Sequence, residues 1–253
     1  MTTPATDILA DAPTLDEIIK SIRRLKNDRA VVLDDITSEL LKCTEAAISE
    51  VLHQLFLKVC RTGRVPSEWR DDVIIISLYK GKEPCSECSS YRPITLLSVA
   101  GKVFSQVLLN RREPLLAWQR RSQRLGFTRC RLTMDAILAL RLLAEIHREF
   151  VRSVLAAYIS MKAAFDSVDR KALWKALKIQ STPPFSLRLI NDLHESTKSC
   201  VRTVIDNVSD SFPTSSGVRQ GCILSPALFC CAIDWILRRI APAGNNDRLR
   251  NLH

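Results

Sequence analysis

Apolar and polar positions alternate along the chain in a pattern that predicts amphipathic helices interrupted by a few short strands. Thr14-Leu15-Asp16-Glu17 has the form of a capping box, in which a Thr hydroxyl and a Glu carboxylate satisfy each other's backbone N–H groups. A helix is expected to open there, with Leu15, Ile18, Ile19, Ile22 and Leu25 on one face. Residues 27–37 read as a loop, and a second helix as running from Ser38 to Cys60, ended by Gly63 and Pro66. Val73 to Tyr79 is short, apolar and β-branched, which predicts a buried strand. Lys80 to Ser90 carries Gly81, Pro84 and several serines and predicts a loop or hairpin. Helices are expected over 98–118 and 133–150, the second with Met134, Ile137, Leu138 and Ile146 inward. Ser153 to Ser160 predicts a strand, 169–179 a helix, Pro183-Pro184 a break and 186–196 another helix. Residues 200–206 and 210–215 resemble a strand pair, 217–225 a turn, and Pro226 opens a last helix to Ile240. Residues 1–13 and 241–253 are expected to be disordered and frayed. The order is not strict βαβ alternation, so the expected fold class is α+β.

Composition narrows the partners without naming one. The 253 residues are 46% hydrophobic and 25% charged, ordinary for a globular chain with a core of its own. No apolar run is long enough to cross a bilayer, and residues 1–13 lack the pattern of a secretory signal. Lys and Arg number 37 against 27 Asp and Glu, a net charge of +10. A polyanionic partner suits that surplus, and so does solubility alone. The nine cysteines are odd in number and scattered through apolar segments, which predicts reduced thiols in an intracellular protein, nuclear or cytoplasmic. Cys85 and Cys88 form a CxxC, but a zinc site needs two more ligands at comparable spacing, and no second CxxC and no HxxxH occurs. Loop cysteines without metal are therefore expected. His53, His147, His194 and His253 stand alone.

Four segments in order change this picture. Trp69 to Arg111 contains a strand-like run ending in Lys80, followed by Tyr91-Arg92-Pro93-Ile94. Residues 126–138 read GFTRCRLTMDAIL, 156–170 read AAYISMKAAFDSVDR, and 217–229 read GVRQGCILSPALF. Together they resemble the LINE-type, non-LTR retrotransposon reverse transcriptases, and the resemblance spans roughly residues 14–240. It implies a right-hand polymerase fold, with fingers over 14–150 and an incomplete palm over 151–240, lacking the catalytic hairpin and thumb. The implied partner is an RNA template or RNA/DNA hybrid, with no membrane, and the oligomeric state is left open.

Nucleotidyl transfer in that family uses two divalent cations about 3.5–4 Å apart. Mg²⁺ prefers carboxylate oxygens, and the family supplies three aspartates. Aligned on Ala164-Phe165-Asp166, the first of these positions is occupied by Ser160, a neutral and weak ligand. No [FY]-A-D-D occurs in the 253 residues. No intact catalytic residue, no metal and no cofactor are therefore expected for this chain. Asp166 is expected to be structural, as a helix-start cap, and Asp169 to face solvent. The resemblance also implies nucleotide-binding roles for Lys80, Arg92, Phe165, Gln220 and Gly221. Lys80 and Arg92 would hold the triphosphate, Phe165 would gate the ribose 2′ hydroxyl, and Gln220 would pack on the nucleotide while Gly221 allows close approach. Arg219 belongs to the same motif as a structural member. The bland alternatives are solvated surface charge for the cations and core packing for Phe165.

Two further departures suggest decay. RAVVLDDI at 29–36 replaces a Gly/Pro-rich loop, and Leu132 precedes Thr133. The family's upstream endonuclease is also missing, which adds to the expectation of a truncated fragment. Three functions stay open at this point: an inactive, degenerate reverse transcriptase domain; a repurposed RNA- or DNA-binding module; and an active polymerase if the gene is incompletely represented. An exposed sheet edge and bare apolar helix faces are expected, and with them marginal stability and aggregation.

Overall fold

Thr14 starts the first helix as its capping box predicts. Glu17 N–H donates to the Thr14 hydroxyl at 3.3 Å, and Thr14 N–H donates to the Glu17 carboxylate at 2.8 Å. The structure is a computed structural model that describes residues 11–29, 36–70, 73–81, 84–121, 124–128, 130–202 and 207–240. The expectations for most of the 1–13 segment, for the RAVVLDDI loop and for the tail 241–253 lie outside those residues.

Helix α1 (Leu15–Arg23) buries Ile18 and Ile22 completely. The expected long second helix is two: α2 (Ser38–Cys43) and α3 (Glu45–Thr62). Thr44 separates them at φ −106°, ψ 24°, with its hydroxyl donating to the Leu40 carbonyl at 2.7 Å. The Leu40 carbonyl there accepts both the Thr44 hydroxyl and the Thr44 N–H, the latter at 3.0 Å, while Thr44 itself leaves the helical φ/ψ range. Gly63, in the left-handed region at φ 66°, ends α3. The remaining helices are α4 (Val99–Gln119), α5 (Thr133–Glu149), α6 (Arg170–Ile179), α7 (Pro184–His194) and α8 (Ser225–Ile240). Pro184 is tolerated at the first position of α7 because no intrahelical partner awaits an N–H there.

Four strands form one sheet: β1 (Val73–Tyr79), β2 (Tyr91–Thr95), β3 (Thr197–Arg202) and β4 (Phe212–Thr214), in the order β2-β1-β3-β4. β1 is antiparallel to β2, with Ile76 opposite Ile94 and Leu78 opposite Arg92. It is parallel to β3, with Val73 opposite Ser199. β2 is an addition to the sequence-based expectation. Pro93 lacks a ladder donor, which disguises the strand in the sequence and which an edge position tolerates.

α1 packs on α3 and α4, and α6 packs on α7 and α8. One core cluster runs from Ile18 and Ile22 through Phe56, Trp69 and Phe104 to Leu173, Leu177 and Leu228, so residues before and after 150 share it. Phe56 and Phe104 meet edge-on with ring centres 5.0 Å apart, and Trp69 lies 5.3 Å from Phe104. Each buried side chain of this size contributes about 2 kcal/mol of transfer free energy. A smaller cluster unites Ile74, Leu96 and Cys200.

Two expectations fail. Residues 153–160 form no strand and are exposed, Leu155 by 98% and Tyr158 by 86%. A strand exists only with a partner, and among the described residues none pairs with this segment. Helix α5 forms as predicted but buries no residue, and Met134, Ile137, Leu138 and Ile146 point outward. Periodicity shows which face needs covering, not what covers it. All nine cysteines are thiols, with Cys85 and Cys88 exposed. Among the described residues no helix is long and apolar enough to cross a membrane.

Candidate functional site

Three of the segments singled out in the sequence meet at the open face between the sheet and α6. The turn before α6 is closed by Asp166 and Ser167 N–H groups, both donating to the Ala163 carbonyl at 2.9 Å. The 217–222 segment is stitched to that turn and to β2. Gly217 N–H donates to Val168 O at 2.8 Å, Val218 N–H to Phe165 O at 2.9 Å, and Thr95 N–H to Gln220 O at 2.6 Å. Two glycines make this possible. At Gly217 (φ +77°) a Cβ would lie 2.8 Å from the Asp166 backbone, and at Gly221 (φ +119°) it would lie 2.4 Å from the Thr95 carbonyl. The close approach at Gly221 is thus to the backbone of β2.

A cleft of ≈ 220 Å³ lies over this junction, lined by Thr95, Asp166, Arg170, Ser199, Thr214 and Gln220 among others. Its walls offer hydroxyls, one carboxyl and one amide to a polar ligand. Partial burial pushes the Asp166 carboxyl above its ordinary range.

Arg170, which closes the 156–170 segment, is the organiser of the cleft, a role the segment alone does not reveal. Its guanidinium donates to Gly217 O at 2.9 Å, Thr214 O at 2.8 Å and the Thr197 hydroxyl at 3.2 Å, and also to His194 O. One side chain therefore ties the 217–222 segment to the end of α7 and to the β3–β4 pair. Burial lowers its pKa from the usual guanidinium value. Arg219 is engaged in the same way: it donates to Trp69 O at 2.7 Å and to Leu193 O at 2.6 Å. These are structural bonds to backbone carbonyls. Between the two arginines sits His194, wholly buried, its Nδ1 2.9 Å from Ile190 O. Burial first, then the charges of Arg219 and Arg170, pushes the imidazole pKa down to about 3.

Phe165 is half-buried beside the cleft. It stacks on Phe229 at 4.7 Å and meets Phe127 edge-on at 6.0 Å, so its ring is held by packing. Lys80 and Arg92 lie elsewhere, at the far end of the β1–β2 hairpin, and both are exposed. Lys80 N–H donates to Ser90 O at 2.8 Å, which extends the ladder by one pair. The register then places Lys80 and Arg92 as diagonal neighbours on one face. Lys80 Nζ donates to the Ser89 carbonyl at 2.5 Å. The structure therefore brings together Phe165, Asp166, Arg219, Gln220 and Gly221, while Lys80 and Arg92 do not line the cleft, although Pro93, next to Arg92, does.

Ser160 is in exposed coil, outside the cleft lining. The helix cap expected of Asp166 is supplied by Asp169, whose carboxylate accepts from Ala172 N–H at 2.6 Å. α6 starts at Arg170, three residues later than an Asp166 cap would require. Among the described residues no three His, Cys, Asp or Glu side chains gather in an arrangement that would hold a metal ion. Ser160, Asp166 and Asp169 thus stand as a hydroxyl in exposed coil, a carboxyl of raised pKa and a helix cap.

Comparison with known proteins adds a relationship to this geometry. Residues 80–247 match the family described as reverse transcriptase (RNA-dependent DNA polymerase). The chain is 33% identical over 230 residues to a putative 115 kDa protein in the type-1 retrotransposable element R1DM of Drosophila melanogaster, covering 89% of this chain and 21% of that protein. It is 24% identical to an uncharacterized 149 kDa protein of transposon TX1 from Xenopus laevis, over 87% of this chain and 17% of the relative. It is 26% identical to the RNA-directed DNA polymerase from mobile element jockey of Drosophila melanogaster, over 86% of this chain and 24% of the relative. The chain thus spans between 17% and 24% of the length of these relatives.

Proposed function

Because the chain belongs to the reverse transcriptase (RNA-dependent DNA polymerase) family, of the non-LTR, LINE-type kind, we propose that it is a degenerate reverse transcriptase domain that does not extend a primer as it stands. The observation that carries this reading is Ser160, in the place of the first metal-binding aspartate. Phosphoryl transfer needs a metal held at the primer hydroxyl and another at the leaving group, and a neutral hydroxyl does not hold a hard dication against water. Loss of one such ligand costs orders of magnitude in rate. The junction of residues 165–168, 217–222 and β2 supports descent from a nucleotide-facing frame. On this reading residues 14–150 correspond to fingers and 151–240 to part of a palm.

Primer extension on an RNA template, with Mg²⁺ or Mn²⁺, tests the proposal on this chain and on Ser160→Asp. No extension by the unmodified chain is expected. Extension by it would overturn the proposal and point to an active polymerase with carboxylates supplied from elsewhere.

A second reading is retention of nucleic-acid binding without chemistry. The net charge of +10 and the exposed Lys80–Arg92 pair favour it. Cations of this kind contact backbone phosphates of an RNA template or RNA/DNA hybrid with little sequence preference, and the affinity falls with salt.

A further inference from the structure

We infer that Cys85 and Cys88 form a reversible dithiol–disulfide pair at the tip of the β1–β2 hairpin, a modification site for small-molecule disulfides. The inference does not rest on the polymerase reading.

Both thiols are exposed, as are all the residues from 84 to 89. The backbone between them is nevertheless folded. Glu87 N–H donates to Pro84 O at 3.2 Å and Ser90 N–H to Glu87 O at 3.0 Å, so two tight turns follow one another. The buried Ser90 hydroxyl also donates to Pro84 O, at 2.7 Å, and the Tyr91 hydroxyl to Cys85 O, at 3.0 Å. The loop is thereby tied to its own base while its thiols stay in solvent. Even in a fully extended chain the two α-carbons would be no more than about 11 Å apart. Turns shorten such a span toward the roughly 4.4–6.8 Å that a disulfide spans. Exposed side chains let the loop make the remaining adjustment without opening the core.

A metal is the other use of a CxxC. Two thiolates leave a zinc ion two ligands short, and among the described residues no third His, Cys, Asp or Glu joins them. Thiol–disulfide exchange needs the two sulfurs alone. The thiolate of one cysteine attacks a sulfur of glutathione disulfide; a protein–glutathione S–S bond forms, the glutathione S–S bond breaks, and one glutathione leaves with the proton the cysteine gave up. The thiolate of the other cysteine then attacks the protein sulfur of that mixed disulfide, the internal S–S bond forms, and the second glutathione leaves as a thiol. Two protein thiols are oxidised, one small disulfide is reduced to two thiols, and no further oxidant enters. Lys80 and Arg92, exposed on the same hairpin, give the loop a positive flank suited to an anionic disulfide of this kind, with Glu87 between the cysteines offsetting one charge.

The test incubates the whole folded chain, at low concentration, with glutathione disulfide and weighs its cysteine peptides after digestion. Cys43 and Cys130 are internal comparisons, since both are exposed and neither has another cysteine within three residues. The expected product at 85–88 is an internal disulfide, two hydrogens lighter and free of glutathione, which dithiothreitol reverses, while Cys43 and Cys130 keep glutathione. In Cys85→Ser, Cys88 should retain glutathione, and in Cys88→Ser, Cys85 should, because the second step has lost its thiol. Both positions are exposed, so the variants keep the fold, which circular dichroism checks. Glutathione persisting on Cys85 or Cys88 of the unmodified chain would overturn the proposal. So would thiols at 85 and 88 that do not react, or a disulfide from either of them to a second chain.

Discussion

At position 221 a φ of +119° and the Thr95 carbonyl 2.4 Å from where a Cβ would sit leave room for glycine alone. Gly221→Ala is expected to destabilise the fold by more than about 2 kcal/mol, because backbone strain and a backbone clash act together. Gly81 is a suitable comparison, with φ +76° and nothing within 4 Å of its would-be Cβ. Gly81→Ala should cost only the conformational part, about 1 kcal/mol. Urea unfolding of both variants checks the difference, and equal losses would contradict it. His194 yields a pH prediction. Above pH 6.5 the imidazole is neutral in folded and unfolded chains alike, and its contribution to stability is intact. As pH falls below that value the unfolded chain takes up a proton that the folded chain refuses until about pH 3. Stability should fall by about 1.4 kcal/mol per pH unit through this window. His194→Gln should flatten that slope, whatever it does to stability at neutral pH, and urea unfolding repeated at each pH reads it. Sequence reasoning found the glycines because only glycine has their conformational freedom. It did not single out the role of Arg170, although that residue closes the 156–170 segment, or the burial of His194, since both depend on elements distant in the chain.

Among the elements, α6 shows how a cap can be misassigned by three residues while the helix itself, expected over 169–179, is placed within one residue. Asp166 and Asp169 both precede the helical pattern, and either is a plausible cap by residue type. The turn that places Gly217 against Asp166 holds that residue outside the helix, and Asp169 takes the Ala172 N–H. Asp169→Ala is accordingly expected to cost about 1 kcal/mol, with a smaller effect for Asp166→Ala; thermal unfolding of the two variants distinguishes them, and the reverse order would return the cap to Asp166. Most helices were legible in the sequence from local period and caps, the exception being α2 and α3, which read as one helix because Thr44 does not interrupt the apolar period. Strands were less so. β1 was visible as an apolar β-branched run, whereas β2 was hidden by Pro93, and residues 153–160 have strand composition without a partner among the described residues. Pairing is a property of two segments, and a pattern in one of them does not supply the other. The apolar face of α5 was misread as inward for the same reason.

For the whole molecule, family membership and the local frame were both legible, because short motifs such as GVRQG carry turn chemistry that survives in one sequence. The separation between the cleft and the hairpin cations was not, since it depends on how β1, β2 and the 217–222 segment are arranged in space. That separation allows a test of nucleic-acid binding apart from any nucleotide site. Lys80 and Arg92 share one face at the end of the hairpin, while Arg170 and Arg219 are engaged by backbone carbonyls. If the hairpin contacts a template backbone, log affinity for single-stranded RNA should fall linearly with log salt, by about 0.7 per phosphate contacted. Arg92→Gln and Lys80→Gln should each weaken binding equally for unrelated RNA sequences and reduce the salt slope by about one contact. Arg219→Gln should act differently, lowering stability through the carbonyls it leaves unpaired near Trp69 and Leu193. Fluorescence anisotropy across a salt series, with unfolding measured on the same variants, separates the two effects. A slope unchanged in both hairpin variants would remove the hairpin from the interface and leave the positive charge of the chain without a located partner.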